Sequence, residues 1–509
     1  MTTRSGWRQV RRLSQVLSLL LWIALFLWVR DPVASPLRTD LFLISDPLVA
    51  LLTMGSALVW VPTLLGSLVL VVMTLVVGRA FCGWLCPLGT LLDGMARVLR
   101  PPESRFSLAQ HQRMQHWKYV LLTVVVIGAL LSSQWIYLLD PLVLLFRATA
   151  GGLWPAFTAV LPDDALPGTW HTPYHGIAFL PLALLLTVLG LTALSPRFYC
   201  RYLCPLGAFY GLLARVPLLR RRVKGCDGCH ALAAGKQCIR ECRMGAVPSN
   251  PQFTLNHECI RCMSGRDFCH VQAIRFDWMS PGRHKVDRPL ELGRRSFLVA
   301  GATGVALAPL TAFAAYHRGD PNTLVRPPRV LDEDTFLDQC VRCGMCVQAC
   351  PTQTLQLTHL EAGLAGLWTP AITPEVGGCR ADCNACGEVC PSDAIPRFDK
   401  RETDKWSVKM GTAVLEKDRC ISYTDNLACR KCIEICPTKA FVIEAARPDR
   451  PLRPAAVDYV RCMGCGLCEN ACRKIVYGEP ALKTFAHGRG QPTVLRERPT
   501  PSFTPPVRE

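Results

Sequence analysis

The chain lacks the fingerprints of several common classes of energy-coupling protein. It contains no Gly-x-Gly-x-x-Gly dinucleotide pattern and no Gly-x4-Gly-Lys-Ser/Thr phosphate-binding loop, so nicotinamide oxidation and ATP hydrolysis have no support. It also has no long apolar run after residue 316, although 50% of its residues are hydrophobic. The membrane-spanning helices are therefore predicted in the first part of the chain, and the second part is predicted to be soluble.

Negative charge is scarce as well, since 39 acidic residues stand against 57 basic ones and the net charge is +18. Nucleic-acid-binding proteins often have a large positive net charge, but this sequence contains no nucleic-acid recognition motif. The basic residues instead cluster beside apolar runs, for example Arg97 and Arg100, or Arg220 and Arg221. This pattern is typical of membrane topology signals, and no nucleic-acid partner is predicted.

Five apolar segments approach the length that crosses a bilayer. They cover residues 13–29, 60–77, 119–139, 177–194 and 297–315. A further apolar stretch, 41–57, is interrupted by Asp46 and Pro47, so we expect it to be interfacial or re-entrant. The first four segments predict an all-α transmembrane bundle of four helices, in contact with membrane lipid.

The orientation of this bundle is predicted from its basic residues. The N-terminus carries Arg4 and Arg8, and two further basic loops cover residues 79–118 and 197–224. Because basic loops remain in the cytoplasm, four crossings return the chain there, and we expect the N-terminus and residues 223–292 to be cytoplasmic. The predicted location is a bacterial inner membrane, with multiple crossings.

The 27 cysteines fall at short, repeated spacings, which suits metal clusters better than disulfides. From residue 340 onward they form four groups of four. In this pattern three thiolates on a tight loop surround one 4Fe-4S cluster, and the fourth reaches a neighbouring cluster. Zinc sites favour separated pairs of cysteines instead. The predicted ligands are Cys340, Cys343, Cys346, Cys350, Cys379, Cys383, Cys386, Cys390, Cys420, Cys429, Cys432, Cys436, Cys462, Cys465, Cys468 and Cys472.

The surroundings of these groups resemble bacterial ferredoxin. Proline follows the last cysteine of the first three groups, and apolar Leu355, Ile395 and Phe441 follow at a steady offset, which predicts short strands over the clusters. The spacing does not show which groups exchange their fourth ligand. We predict an α+β ferredoxin-like domain with four 4Fe-4S clusters at 319–478, and an exposed Pro- and Arg-rich tail at 479–509.

A second set of cysteines lies in the segment expected to be cytoplasmic, and it predicts one or two further 4Fe-4S clusters. These residues are Cys226, Cys229, Cys238, Cys242, Cys259, Cys262 and Cys269. Standard spacing places Gly265 where a third cysteine of the second group belongs. That cluster is then a three-iron form, uses His270 or Asp267 as a ligand, or is absent. His230 and His270 are more simply surface histidines.

Two near-copies of one motif stand at the ends of apolar segments. Phe81 to Gly89 reads FCGWLCPLG, and Tyr199 to Gly207 reads YCRYLCPLG. The copies suggest an internal duplication whose cysteines face one site, with the two thiols of each motif on one helix face. The alternatives are a bound metal, a redox disulfide, electron gating beside a quinone, or inert thiols at a helix end. The four residues are Cys82, Cys86, Cys200 and Cys204.

Residues 293–298, Gly-Arg-Arg-Ser-Phe-Leu, precede a mild apolar run. They resemble a twin-arginine export signal. Clusters are loaded while thiols are reduced, so an exported cluster domain would cross the membrane already folded, and this resemblance implies such a route. The segment 293–318 is either cleaved near Ala312 to Ala315 or remains as a fifth anchor.

Together these motifs resemble a natural fusion of two families. Residues 1–222 with 223–292 are similar to the NapH-type membrane polyferredoxin, and 293 onward is similar to the exported NapG or MauM type. The resemblance implies a quinol dehydrogenase component, chiefly an electron carrier, that passes electrons from membrane quinol through the clusters to a periplasmic reductase or cytochrome. The alternative is an electron-donating maturation factor for a periplasmic metalloenzyme, such as methylamine dehydrogenase. A structural scaffold with redox-silent clusters is a third possibility.

Overall fold

The structure is a computed structural model, and its description here covers most of the chain. The described residues are 6–30, 37–101, 106, 108–130, 137–162, 179–215, 217–223, 237–247, 253–267, 269, 273–278, 298–299, 302–303, 305–306, 324–399, 405–476 and 478–491. They form two compact units. The first unit comprises Met1–Asp320, Glu333–Pro370 and Ala385–Pro396, and the second comprises Pro321–Asp332, Ala371–Asn384 and Arg397–Glu509.

Helices dominate the first unit. They are α1 Gly6–Trp28, α2 Leu41–Ile44, α3 Pro47–Ala57, α4 Ser67–Val77, α5 Ala80–Trp84, α6 Pro87–Leu99, α7 Leu108–Gln115, α8 Trp117–Leu130, α9 Pro141–Ala148, α10 Trp154–Val160, α11 Leu180–Gly190, α12 Phe198–Tyr202, α13 Pro205–Leu213, α14 Gln237–Arg240, α15 Ser264–Asp267, α16 Glu333–Gln339, α17 Met345–Ala349 and α18 Ala385–Glu388. Short 3₁₀ turns precede α4 at Pro62–Gly66 and follow α11 at Leu191–Ala193.

The predicted four-helix membrane bundle is wrong in its helix lengths. Within the described residues two helices are long and apolar enough to cross a membrane, Gly6–Trp28 and Pro141–Val160. The first coincides with the predicted segment 13–29. In the other predicted segments the apolar helices are shorter, as at Pro62–Val77 and Leu180–Ala193. Even a 17-residue helix covers only about 26 Å, less than the ~30 Å hydrocarbon core.

The second long helix was not predicted because polar and helix-breaking residues interrupt its sequence. It joins α9 to α10 through a π-helical turn at Thr149–Leu153, which contains two glycines. Arg147 stands in its middle and is buried. The guanidinium of Arg147 donates to the carbonyls of Tyr137 and Leu138 and lies 4.3 Å from the ring centroid of Trp368. The charge is thus accommodated inside the protein, which an apolar-run search cannot anticipate.

The break expected at Asp46 and Pro47 is present. Helices α2 and α3 meet there, and the carboxylate of Asp46 caps α3 by accepting from the amides of Leu48 and Val49. Whether this stretch is interfacial or re-entrant stays a prediction. Apart from six residues between 298 and 306, the predicted export segment 293–318 lies outside the described residues.

Short strands form small antiparallel pairs. In the first unit β1 Leu219–Val223 pairs with β2 Ile274–Trp278, with Arg221 opposite Phe276. The chain continues with β3 Leu355–Leu357 and β4 Pro370–Ile372. As predicted, Leu355 begins a strand, and so does Phe441, in the second unit. Ile395 is buried but lies outside any strand.

In the second unit the remaining elements pack around cysteines. They are β5 Thr412–Leu415, α19 Ile421–Thr424, α20 Lys431–Ile435, β6 Phe441–Glu444, β7 Arg453–Val457, α21 Leu467–Arg473 and β8 Leu482–Phe485. Strand β5 pairs with β8, and β6 pairs with β7 across a register shift. The apolar core includes Phe441, Leu482, Cys462 and Cys468. Because thiols occupy the centre of this small core, the core and the candidate cluster sites are one structure.

Candidate iron–sulfur centres

The third and fourth cysteine groups are interleaved in the second unit. Cys436, the last thiol of the third group, is an electrostatic neighbour of Cys462, Cys465 and Cys468. Reciprocally, Cys472 of the fourth group neighbours the third group's Cys420, Cys429 and Cys432. Each set contains three thiols from one loop and one from the other. This is the ligand arrangement of paired ferredoxin clusters.

Burial disfavours the ionised form of these thiols, which is the form that binds iron. Burial, together with the neighbouring Cys420 and Cys429, raises the pKa of Cys432 to about 12. Ligation to iron removes this penalty because the metal supplies the compensating positive charge. Backbone amides of Ala413 and Ala440 donate to the sulfurs of Cys462 and Cys436 at 3.3 Å. Such bonds stabilise cluster-bound thiolates.

One direction of such an exchange is described in the first unit, between the first group and the last cysteine of the second group. Cys390, the last thiol of the second group, neighbours Cys340, Cys343 and Cys346 of the first group. The amide of Ile395 donates to the Cys390 sulfur at 3.4 Å. Within the described residues no three Cys, His, Asp or Glu side chains are placed to hold a single metal ion. The last thiol of the second group thus lies with the thiols of the first group.

The seven cysteines of segment 223–292 are partly described. Cys242 neighbours Cys259 and Cys262, so the last thiol of the first group reaches the second. The amide four residues later donates to the sulfur at both Cys242 and Cys269, at 3.2 Å in each case. Ala440 makes the same contact with Cys436. Cys242 and Cys269 therefore adopt the ferredoxin turn although no proline follows them.

The position of the missing cysteine has room for a side chain. A Cβ built on Gly265 would meet only Ile274 and Arg221, at 3.7 and 3.9 Å. Asp267, one suggested replacement ligand, is instead paired with Arg8 at 3.0 Å. His270, the other suggestion, lies outside the described residues, as do Cys226, Cys229 and His230. Among the described residues, the thiols that lie together here are those of Cys242, Cys259 and Cys262.

One pattern in the sequence was missed. Cys226 to His230 read Cys-Asp-Gly-Cys-His, which matches the spacing of covalent haem attachment. The segment lies outside the described residues. The neighbouring Cys238 and Cys242 extend it to four cysteines, the number of a ferredoxin group.

The four cysteines of the duplicated motif converge. Cys86 is an electrostatic neighbour of Cys82 and Cys200, and Cys204 is a neighbour of Cys200 and Cys82. The local geometry differs from the prediction of one helix face. Helices α5 and α12 end before the second cysteine, and Cys86 and Cys204 then cap α6 and α13, each with proline at the first helical position. The helix break turns the second thiol of each motif back toward the first.

Two buried arginines cross between the motifs, and the sequence analysis did not single them out. Arg197, which precedes the second motif, donates to the carbonyls of Cys82 and Gly89 in the first, at 2.8 and 3.2 Å. Arg79, which precedes the first motif, lies against Gly207 in the second, where a Cβ would be 2.9 Å from its guanidinium. Each arginine thus contacts the opposite motif, which supports the internal duplication. In the sequence, these residues could have been found because an arginine stands three residues before the first cysteine of each motif.

Buried carboxylates hold these arginines. Asp93 binds Arg197 at 2.8 Å, Arg11 at 3.1 Å and Arg243 at 2.9 Å. Burial would raise the pKa of Asp93, but Arg197, Arg243 and Arg11 lower it below its usual range. The carboxylate is therefore ionised.

Glu258 plays the same part for Arg79, at 3.1 Å, and it also binds Lys118. Burial would raise the pKa of Glu258, but Lys118 and Arg79 lower it. Arg79, Arg197 and Lys118 interact electrostatically with the four-thiol site, which is formed by Cys82, Cys86, Cys200 and Cys204. Such buried cations stabilise a negatively charged thiolate centre.

Helix α4, with the turn before it, connects two cluster sites. At its beginning, Thr63 donates to the carbonyl of Pro391, beside Cys390, at 3.0 Å. At its end, the carbonyl of Val77 accepts from Arg261, beside Cys262, at 3.1 Å. The cluster ligands around Cys390 and those around Cys262 therefore lie at opposite ends of this apolar helix.

Family models match most cysteine groups. A 4Fe-4S binding domain matches residues 59–105 and 177–225, the two copies that contain the paired motifs. A 4Fe-4S dicluster domain matches 378–440 and 426–476, and another 4Fe-4S binding domain matches 336–356. These matches support iron–sulfur clusters as the cofactors of the chain.

Curated relatives agree. The ferredoxin-type protein NapG of Escherichia coli is 36% identical over 210 residues, 38% of this chain and 85% of the relative. The methylamine utilization ferredoxin-type protein MauM of Methylorubrum extorquens is 32% identical over 40% of this chain and 93% of its own. The regulatory protein NosR of Pseudomonas aeruginosa is 32% identical over 50% of this chain, which spans only 30% of NosR. No solved structure matches significantly. The chain belongs to the NapG and MauM family of ferredoxin-type iron–sulfur electron-transfer proteins.

Proposed function

We propose that the chain is a membrane-bound electron conduit. In this proposal a NapH-type membrane part takes electrons from membrane quinol, and the NapG-type part delivers them to a periplasmic reductase or cytochrome. The observation that carries the proposal is the placement of two cluster sites at opposite ends of α4, at Thr63 and Val77. This helix is too short to cross a bilayer, but it separates the two sets of cluster ligands by an apolar segment.

The four-thiol site extends this path within the first unit. The cytoplasmic group contacts it directly, since the Trp84 indole donates to the carbonyl of Arg261 at 3.0 Å. The convergent thiols, the surrounding positive charge and the match to a 4Fe-4S binding domain support a cysteine-ligated iron–sulfur centre there. Iron–sulfur clusters accept single electrons, which suits stepwise oxidation of a two-electron donor.

The chain's own residues would support this transfer by burial and charge. Arg79 and Arg197 compensate negative charge on the thiolates, and Asp93 and Glu258 fix the arginines in place. The amides that donate to Cys204, Cys242 and Cys390 stabilise reduced clusters, whose charge is more negative.

The alternative function is electron supply for maturation of a periplasmic metalloenzyme. The relatives named for methylamine utilization favour it. Both functions use the same conduit and differ in the acceptor.

The experiment that tests the proposal uses the full chain, purified without oxygen in detergent. Adding a menaquinol or ubiquinol analogue should reduce the clusters, as followed by EPR spectroscopy. In a Cys86→Ala/Cys204→Ala variant, quinol should no longer reduce them, whereas dithionite should. A Gly94→Ala variant controls for substitution, since a Cβ there meets nothing within 4 Å. Clusters that dithionite reduces and quinol leaves oxidised in the unmodified chain would refute the proposal.

A further inference from the structure

A second duplicated motif accompanies the cysteine pairs. Asp46-Pro47-Leu48-Val49 and Asp140-Pro141-Leu142-Val143 repeat one another. Each aspartate caps the helix that follows, and its Oδ1 accepts from two backbone amides at 2.8–3.3 Å. The helix caps alone would explain one oxygen of each carboxyl.

The other oxygen of each carboxyl is unexplained. Asp46 is 0% and Asp140 1% exposed, and Oδ2 of each has no hydrogen-bond donor among the described residues. The two carboxyls also interact with each other. Two buried carboxylates that interact destabilise each other's negative charge, which favours the binding of protons by the pair. By contrast, Asp93 and Glu258, which are also buried, have cationic partners.

Two tyrosines that face the carboxyl pair also interact with cysteines of the four-thiol site. Tyr210 is buried, its hydroxyl has no partner among the described residues, and it interacts electrostatically with Asp46 and Asp140 as well as with Cys82 and Cys86. Tyr199 interacts with Asp140 and Cys204, and its hydroxyl donates to the carbonyl of Leu139.

Few cations approach the pair. Arg147 acts on Asp140, and Arg342 acts on the nearby Tyr137, whose hydroxyl hydrogen-bonds to Thr53 at 2.7 Å. The guanidinium of Arg147 is occupied by backbone carbonyls and by the ring of Trp368. The charge state of the pair is therefore set mainly by protons.

We propose that the Asp46–Asp140 pair is a proton site coupled to the redox state of the four-thiol centre. The proposal rests on the function above. Each one-electron step of quinol oxidation breaks an O–H bond; the four-thiol centre takes the electron, and Oδ2 of the pair takes the proton. When the centre passes its electron onward, the pair returns the proton to solvent. The proton offsets the added negative charge in a region of low dielectric.

The test is an equilibrium redox titration of the four-thiol centre in the full chain at several pH values near neutral. One proton per electron lowers the midpoint potential by about 59 mV per pH unit, the value for a tenfold change in a one-electron equilibrium. Asp46→Asn and Asp140→Asn should flatten this slope, and because asparagine also caps helices, both variants should fold. Asp40→Asn is the matched control, since Asp40 is buried nearby but paired with Arg38 at 2.7 Å, and it should keep the full slope.

Redox-difference infrared spectra give a second readout. The carbonyl band of a protonated carboxylic acid should grow on reduction and be lost in Asp46→Asn/Asp140→Asn. A redox-active centre whose potential is independent of pH, or whose slope survives in the double variant, would overturn the inference alone. A site at Cys82 to Cys204 without any redox response would overturn both the inference and the proposed function.

Discussion

At the scale of single residues, the charges around the four-thiol site are the most consequential feature. Asp93 holds three arginines, and all the interacting groups except Arg243 are nearly inaccessible to solvent. Removing one partner from such a network leaves uncompensated buried charge, which typically costs about 3–5 kcal/mol. We therefore expect Asp93→Asn to lower the free energy of unfolding by an amount of this order, as measured by chemical denaturation in detergent.

The matched control for this variant is Asp382→Asn. Asp382 is also paired with an arginine, Arg380 at 2.6 Å, but its side chain is 68% exposed, so its removal should have little effect. The pH dependence has a definite sign. Because the pKa of Asp93 is lowered in the folded state, its stabilisation is present above the ordinary aspartate pKa of about 3.9 and is lost as the pH falls below it. Equal stabilities for the two variants would contradict this account.

Gly265 gives a prediction about cluster type. We expect Cys242, Cys259 and Cys262 to hold a three-iron cluster, because Asp267 is engaged with Arg8. Gly265→Cys should convert it to a four-iron form, since the site has space for a side chain. The three-iron EPR signal of the oxidised protein should disappear, and the iron content should rise. Gly265→Ser provides the isosteric control with a poorer ligand. An unchanged EPR spectrum in the cysteine variant would count against a three-thiol cluster here.

At the scale of single residues, the sequence identified the cysteines but not the charged residues that surround them. Ferredoxin spacing is local, so Cys436 and Cys462 were recognisable from their neighbours alone. The contacts of Arg79 with Glu258 and of Arg197 with Asp93 join residues more than 100 positions apart. No local pattern specifies such partners, because they depend on how the helices pack.

At the scale of elements, close backbone approach fixes α5 against the cysteine group of Cys259 and Cys262. A Cβ on Gly83 would fall far inside van der Waals contact with the backbone carbonyl of Ile260. Gly83→Ala should therefore displace this group and increase its cleavage in limited proteolysis. Gly94→Ala, in the open position on α6, should instead leave the cleavage pattern unchanged or improve stability slightly. Similar proteolysis of both variants would show that the approach at Gly83 is not required.

The pairing of cysteine groups is also a property of elements, because the spacing left it open and packing decides it. Cys436 of the third group lies beside the fourth. Cys436→Ala combined with Cys462→Ala should lose one cluster's iron, because both residues serve the same cluster. Combining Cys436→Ala with Cys420→Ala should instead lose the iron of two clusters, because these residues serve different clusters. Iron and sulfide analysis distinguishes the two results, and identical losses would contradict the pairing.

Helix boundaries were only partly predictable. The duplicated Cys-x3-Cys-Pro motifs suggested a single helix face, but proline at the start of α6 and α13 places the second cysteine at a cap. Likewise, the long apolar helix Pro141–Val160 was not predicted because it contains the charged Arg147. Tertiary contacts satisfy this charge. Both errors arise where packing overrides the local pattern.

At the scale of the whole molecule, the proposed electron path requires that the apolar helices of the first unit hold the cluster sites in one connected structure. Duplication of both the cysteine and the Asp-Pro motifs implies that the helical part of the first unit arose from two similar halves. In the first unit these halves enclose the four-thiol site and the carboxyl pair, and α4 separates two cluster sites. The arrangement fits a protein in which electron transfer and proton release occur at neighbouring places.

The most direct test of the conduit follows individual clusters in the intact protein. The full chain is placed in lipid vesicles containing menaquinol, and reduction of the clusters around Cys420 and Cys462 is recorded by EPR after rapid freezing. We predict that quinol reduces these clusters in the unmodified chain and fails to do so when Cys86 and Cys204 are replaced by alanine. Equal rates of quinol-driven reduction in both proteins would contradict electron transfer through the four-thiol site.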